Sequence, residues 1–462
     1  MEGNMKRRKI AVMGLVLCLV SGIFSACGDA AKKDAVASGE SGGTNLYYDA
    51  GSDGSLSGVD TFAGSEGTGG EESAKVSGDM DGSIGLDAVS EAEAPLSEAE
   101  PGGYGQVPPR AGLLTAGEWR DNENWGFFTN LVRTGRFSFR QFGMAPYQRV
   151  VVQALSDGVP AAKVKVRLCT ASGSAISCAV TDHNGKAYLY YNVYGEGEVA
   201  DHVIFEKMDG EILMPLSGEE ISSTAVDNAG QGNQPGSMEE LSDAQVTAEI
   251  GSIDTPLRAL DLMFVFDTTG SMGDELLYLQ KEFEDIAGRV ADQSTRFSVN
   301  FYRDHGDAYI VHSNPFSDDI KAASALINAE SADGGGDYEE AVDEALINAV
   351  MEHEWREEAS KILFLILDAP PHDTDEVAAN LRMAVEAATA QGIRIIPIAA
   401  SGVNEKTEAF LRSIAMLTGG TYTFLTDDSG VGNSHLEPTV GSYSVEALND
   451  LIVRLVKEYY GE

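Results

Sequence analysis

The chain has 462 residues, enough for about three domains of ordinary size. It carries 73 acidic against 32 basic residues, a formal net charge of -41. That balance excludes a nucleic-acid partner held through its phosphates, which needs a basic surface to release counterions. It equally excludes adsorption on anionic lipid through a polybasic face.

Residues 1–26 combine the basic cluster Lys6-Arg7-Arg8-Lys9, an apolar run from Ile10 to Phe24, and Ser25-Ala26 before Cys27. This is the layout of a secretory signal peptide. The apolar run is shorter than the roughly twenty residues that span a bilayer as a helix. Phe24-Ser25-Ala26-Cys27 resembles the bacterial lipobox, with Phe24 where that motif usually has leucine or another aliphatic residue. The resemblance implies cleavage before Cys27, lipidation of Cys27, and an extracytoplasmic protein anchored in the membrane at the bacterial cell surface.

Residues 27–108 read as a tether. From 28 to 108 there are sixteen acids, three bases and no sustained apolar period. Such a composition cannot bury enough apolar surface to offset chain entropy, so the segment is expected to be disordered and self-repelling. Order is expected from Leu114, within a helical segment spanning 109–145. Thr115-Ala116-Gly117-Glu118 fits a capping box, and Leu114 with Trp119 fits the accompanying hydrophobic staple. The pattern predicts a helix stopped near Gly135.

From 146 to 216 the period becomes two. Val150-Val151-Val152, Lys163 to Leu168, Ala187 to Tyr191 and His202 to Phe205 are short strand candidates separated by Gly-, Pro- and Asn-containing turns. Strands at this spacing predict a small all-β sandwich. Ser156-Asp157-Gly158-Val159-Pro160 and Thr181-Asp182-His183-Asn184-Gly185-Lys186-Ala187 are similar to bacterial immunoglobulin-like and carboxypeptidase-regulatory-like modules. On the lipobox resemblance, Cys18 would be discarded with the signal and Cys27 would be lipidated. Cys169 and Cys178 are left as an even pair flanking one turn, and are expected to form a structural disulfide worth roughly 2–3 kcal/mol. Residues 217–256, rich in Ser, Gly, Asn and Gln at their start, read as a second linker.

Residues 257–462 alternate strand and helix patterns, which predicts an α/β doubly wound, mostly parallel sheet. Asp261 to Phe266 is a continuous apolar run of the kind buried on both faces. Three acidic loops fall at strand ends: Asp267-Thr268-Thr269-Gly270-Ser271, Asp333-Gly334-Gly335-Gly336-Asp337 and Asp368-Ala369-Pro370-Pro371-His372. Carboxylates and hydroxyls converging on one sheet edge suit a hard divalent cation.

Asp267-x-Thr269-x-Ser271, the Gly334-Gly335-Gly336-Asp337 loop and Asp368 together resemble the metal-ion-dependent adhesion site of the von Willebrand factor type A domain. The likeness runs from Leu260 to about Tyr460 and implies a Rossmann-like fold. It also implies metal ligation by Asp267, Thr269, Ser271, Asp337 and Asp368. The implied cation is Mg2+, with Ca2+ or Mn2+ as the other candidates, and it would bridge to an acidic residue of an extracellular or cell-surface protein ligand. Asp337 stands where the family usually has threonine, and a third carboxylate there would hold the dication more tightly. Asp304 and His305 end another strand nearby, and His372 reads as a loop-orienting group. The chain is expected to be no enzyme. The rival readings are a scaffold with a structural metal and a metal-dependent hydrolase. Thr269-Gly270-Ser271-Met272-Gly273 lacks the lysine of a phosphate loop and is no nucleophile elbow.

Overall fold

The computed structural model describes residues 114–207, 210–216, 222–226, 239–252, 258–429 and 434–461. The expected signal peptide, Cys27 and the expected tether lie outside the described residues. Its centre is the strand Leu260–Asp267, buried at every position. An apolar run without alternation needs both faces covered, and parallel neighbours with crossover helices supply that cover. Thr295–Tyr302 pairs with it in parallel on one side and Ser360–Leu367 on the other. Ile393–Ala399 and Tyr422–Thr426 continue the parallel sheet. Successive side chains enter opposite cores. Leu262, Phe264 and Phe266 join Leu279, Phe283 and Ile452 on one face, while Met263 and Val265 join Leu346, Leu381 and Ile414 on the other. Helices Gly273–Val290 and Leu448–Tyr460 cover the first face, and Val342–Met351, Asp375–Gln391 and Glu405–Thr418 the second. This is the mixed α/β, Rossmann-like architecture.

The helix expected from Thr115 is replaced by a strand. Thr115–Trp119 pairs antiparallel with Tyr422–Thr426 and with Glu446–Ala447, completing an eight-stranded sheet. Leu114 and Ala116 enter one core and Trp119 the other, so tertiary burial outweighs the local capping signal. Gly117 fits because a Cβ there would lie 2.7 Å from the Phe424 ring. The helix itself runs Trp125–Thr134 and ends, as expected, at Gly135, whose φ of 61° closes it in the left-handed region.

The chain therefore leaves the α/β sheet at Trp119 and re-enters it at Leu260. Between these points lies a body of strands in two sheets. Gln148–Ser156 sits between Lys186–Tyr191, antiparallel, and Glu239–Glu249, parallel. Lys165–Cys169, Ala175–Val180, His202–Lys207 and Gly210–Pro215 form the other sheet. Val152, Leu189 and Val246 from the first sheet share one apolar cluster with Val166, Leu168 and Phe205 from the second. The strand body is thus an insertion between two strands of the α/β sheet, where the sequence pattern placed it ahead of a self-contained domain.

Two further expectations are corrected here. The 217–256 linker contains strands, Ser222–Val226 and Glu239–Glu249. Ala244, Val246, Ala248 and Ile250 are all buried, a period of two among small residues that polar neighbours mask. Cys169 and Cys178 are not disulfide-bonded to each other. A register shift between Leu168 and Cys169 sets Cys169 opposite Ala175 and Cys178 opposite Arg167, so the symmetric spacing about the turn does not bring the sulfurs together.

Candidate metal centre

Leu260–Asp267 is where the sheet order reverses, since its successors in sequence lie on opposite sides of it. Loops leaving the carboxyl ends of neighbouring parallel strands diverge at such a point and open a crevice. Asp267 ends the strand fully buried. Its Oδ1 accepts hydrogen bonds from the Thr269 backbone N–H at 2.9 Å and the Thr269 hydroxyl at 2.7 Å. Its Oδ2 has no partner. The Thr269 hydroxyl lies 3.4 Å from that of Ser271, and Ser271 is exposed at the rim.

Asp368 follows the Ser360–Leu367 strand and is buried, with Oδ1 lacking a partner. Burial pushes its carboxyl above the usual range against a hydrogen bond from Ser271. Burial and the nearby Asp368 charge push Asp267 up to about 7. The buried Tyr302 hydroxyl faces the same carboxylates, and burial followed by the Asp267 charge drives its pKa well up.

The third buried acid is Glu340, which the sequence pattern did not single out. Its backbone N–H donates to the Pro370 carbonyl at 3.0 Å, and a single bridge to Pro371 carries it to the Asp368 loop. Its Oε2 is buried and unpartnered. Burial, then the charges of Asp267, Asp304 and Asp368, raise its carboxyl to about 9. Gly335 makes this approach possible: at φ 76°, a Cβ there would lie 3.0 Å from Glu340 Oε1 and 3.2 Å from Thr269 Cβ. Nothing in Asp337-Tyr338-Glu339-Glu340 marks which acid turns inward. Only the path of the glycine loop decides it.

Of the five expected ligands, four are thus brought together: Asp267, Thr269 and Ser271 on one loop and Asp368 beside them. Asp337 departs from the expectation. It is exposed and groups instead with Asp304 and His372. The reason is the left-handed backbone at Gly334 and Gly335, which turns Glu340 inward and leaves Asp337 outside. Asp333 is also exposed. His372 Nε2 lies 2.7 Å from Asp304 Oδ1, in keeping with a loop-orienting role.

Three buried carboxylates with an orphaned oxygen each are costly without a compensating cation. Asp267 Oδ2, Asp368 Oδ1 and Glu340 Oε2, with the Thr269 and Ser271 hydroxyls, are all-oxygen donors. Such a set fits a hard dication of the Mg2+ type.

Residues 261–435 match the model of the von Willebrand factor type A domain. That stretch of the α/β body is similar to domains of that class, which are mostly non-enzymatic protein-interaction modules and often bind a divalent metal. Among solved structures, the chain is similar to one titled "Crystal structure of conserved hypothetical protein BatB from Bacteroides thetaiotaomicron". Identity is 14%, coverage is 44% of this chain and 100% of that chain, and the TM-score is 0.32. No curated protein matches the chain.

Proposed function

We propose that the type A domain binds a divalent cation, Mg2+ first and Ca2+ or Mn2+ otherwise, through Asp267, Thr269, Ser271 and Asp368, with Glu340 as the added carboxylate. The bound cation supplies a Lewis-acidic position at the rim that accepts an acidic residue of an extracellular or cell-surface protein ligand. The observation carrying this reading is the set of orphaned buried oxygens, on Asp267, Asp368 and Glu340, beneath the exposed Ser271. Asp267 fixes Thr269 through two hydrogen bonds, so the loop is held ready before any partner arrives.

In the same reading, Cys27 carries the lipid, residues 27–108 form an acidic tether, and the inserted two-sheet body is an immunoglobulin-like sandwich. The protein is then a lipid-anchored binding module and not an enzyme. The test is capture of surface proteins by the immobilised chain in Mg2+ and in EDTA. Binding should be lost in EDTA and in Asp267→Ala with the fold retained. A captured set indifferent to chelation sinks the reading, and unfolding of Asp267→Ala would instead favour a structural metal.

A further inference from the structure

A second cluster of ligating side chains stands beside the first and uses none of its residues. One donor atom each from Asp304, Asp337 and His372 lies within 4.8 Å of the others. Donors around a single transition dication sit about 2.0–2.2 Å from it, and so up to roughly 4 Å from each other. Small side-chain adjustments would therefore let the three share one ion. We propose that Asp304, Asp337 and His372 form a second cation site, distinct from the oxygen-only site and suited to a borderline transition dication such as Zn2+.

Three observations carry this beyond a plain ion pair. Asp304 is buried at 6% exposure, and the basic group paired with it among the described residues is the His372 imidazole, not a lysine or arginine. Asp337 makes no ion pair among the described residues, so the one imidazole is paired with Asp304 and has a second carboxylate close by. Next, the buried Glu340 Oε2 has no hydrogen-bond partner, and the Glu340 backbone is joined at Pro370 and Pro371 to the loop that carries His372. A buried acid without a partner favours positive charge close by.

Finally, the loops are fixed independently of the cluster. Asp307 Oδ2 accepts from the Asp304 N–H at 3.1 Å and from the Gly335 N–H at 3.0 Å, pinning the loop after Thr295–Tyr302 to the glycine loop. Gly334 is required for that contact, since a Cβ there would fall 2.4 Å from Asp307 Oδ2. The site opens outward at Asp337. The His305 ring, 5.9 Å from that of His372, offers a further nitrogen on the exposed side.

Donor chemistry separates the two sites. Imidazole favours Zn2+ and its neighbours, whereas an oxygen-only set suits Mg2+. This proposal does not depend on the adhesion reading, and the experiment keeps them apart. Zn2+ is titrated against a competing chelator into the full chain held in excess Mg2+. We expect one Zn2+ per chain, bound at least tenfold more weakly in His372→Gln, Asp304→Asn and Asp337→Asn, and undiminished in Asp368→Asn. Asp337 is exposed, so its variant decides the matter if Asp304→Asn fails to fold. Failure to bind Zn2+, equal affinity in folded His372→Gln and Asp337→Asn, or loss confined to Asp368→Asn would each overturn the second site. The last outcome would mean that Zn2+ merely occupies the first.

Discussion

Arg412 donates to both oxygens of Asp121, from Nη2 to Oδ1 at 2.6 Å and from Nε to Oδ2 at 2.8 Å, with both side chains sealed from solvent. The residues stand 291 positions apart, on either side of the inserted strand body. Glu408 adds a second buried carboxylate, 3.1 Å from Arg412 Nη1, and the Trp119 indole N–H donates to Asp121 at 3.0 Å. The first strand of the sheet is thus joined to a helix near the end of the chain. Removing one member strands the opposite charge in the core, which typically costs about 3–5 kcal/mol. Asp121→Ala should lower the free energy of unfolding in urea by about the low end of that range, since Glu408 still pairs with Arg412. A piece beginning at residue 258, which lacks Thr115–Trp119, should melt well below the chain beginning at 114. Equal melting would show that the amino-terminal strand is dispensable.

Glu340 and Asp337 can be told apart by Mg2+ itself. A ligand at a hundredfold excess over its Kd adds about 2.7 kcal/mol of stability, visible as a rise in Tm. Glu340→Gln should weaken Mg2+ at least tenfold, about 1.4 kcal/mol, because an amide cannot give up a proton to meet the cation as a carboxylate. Asp337→Thr, which restores the residue usual in the family, should leave Mg2+ affinity within about twofold. Asp368→Asn should abolish the Mg2+-dependent rise yet melt no lower than the parent in EDTA, since it relieves like-charge crowding in the metal-free state. Calorimetric titration of the three variants reads all of this. Loss at Asp337 with none at Glu340 would return the third carboxylate to position 337.

What could be read from the chain follows from how local each signal is. The buried central strand, Leu260–Asp267, shows as an unbroken apolar run, and Asp267, Thr269 and Ser271 sit on one loop whose spacing alone aligns them. Asp368 is legible because it ends another such run. Glu340 is not, because its inward turn depends on positive φ at Gly334 and Gly335 and on a bridge to Pro371. Thr115–Trp119 misleads for a related reason. Its capping signal is local, while its partners, Tyr422–Thr426 and Glu446–Ala447, lie some three hundred residues away and decide the outcome. The insertion of the strand body rests on that one misleading strand, and so was hidden with it.

The two thiols give a simple check on the register shift at Leu168. Cys178 lies opposite Arg167, and burial raises its thiol to about 11. Being mostly protonated at neutral pH, it should react slowly with thiol reagents in the folded chain. Mass spectrometry after denaturing alkylation should find both Cys169 and Cys178 modified without prior reduction, and dithiothreitol should leave Tm unchanged. A mass two hydrogens lighter, reversed by reductant, would mean that the strand pair can shift by one residue to join the sulfurs.

Asp261 supplies the prediction in pH. It is fully buried at the far end of the central strand from the metal loops, within the grip of two arginines. Arg296 donates to it at 2.7 and 2.9 Å, and Arg356 at 2.9 Å from its side chain and 2.8 Å from its backbone N–H. Burial alone would raise the carboxyl, but the hydrogen bonds from Arg296 and Arg356 outweigh it and hold the pKa below the usual range. A carboxyl depressed in the folded state contributes its stability in full above its unfolded pKa, about 3.9, and loses it as pH falls through the folded value. Asp261→Asn should therefore cost stability at pH 7, about 3 kcal/mol at the low end for a buried pair because both arginines are partly exposed. The gap between parent and variant should hold down to about pH 4 and narrow below it. Urea unfolding of both proteins across that range, in EDTA so that no cation contributes, measures the gap directly. A gap that widens as pH falls would contradict a depressed pKa at Asp261.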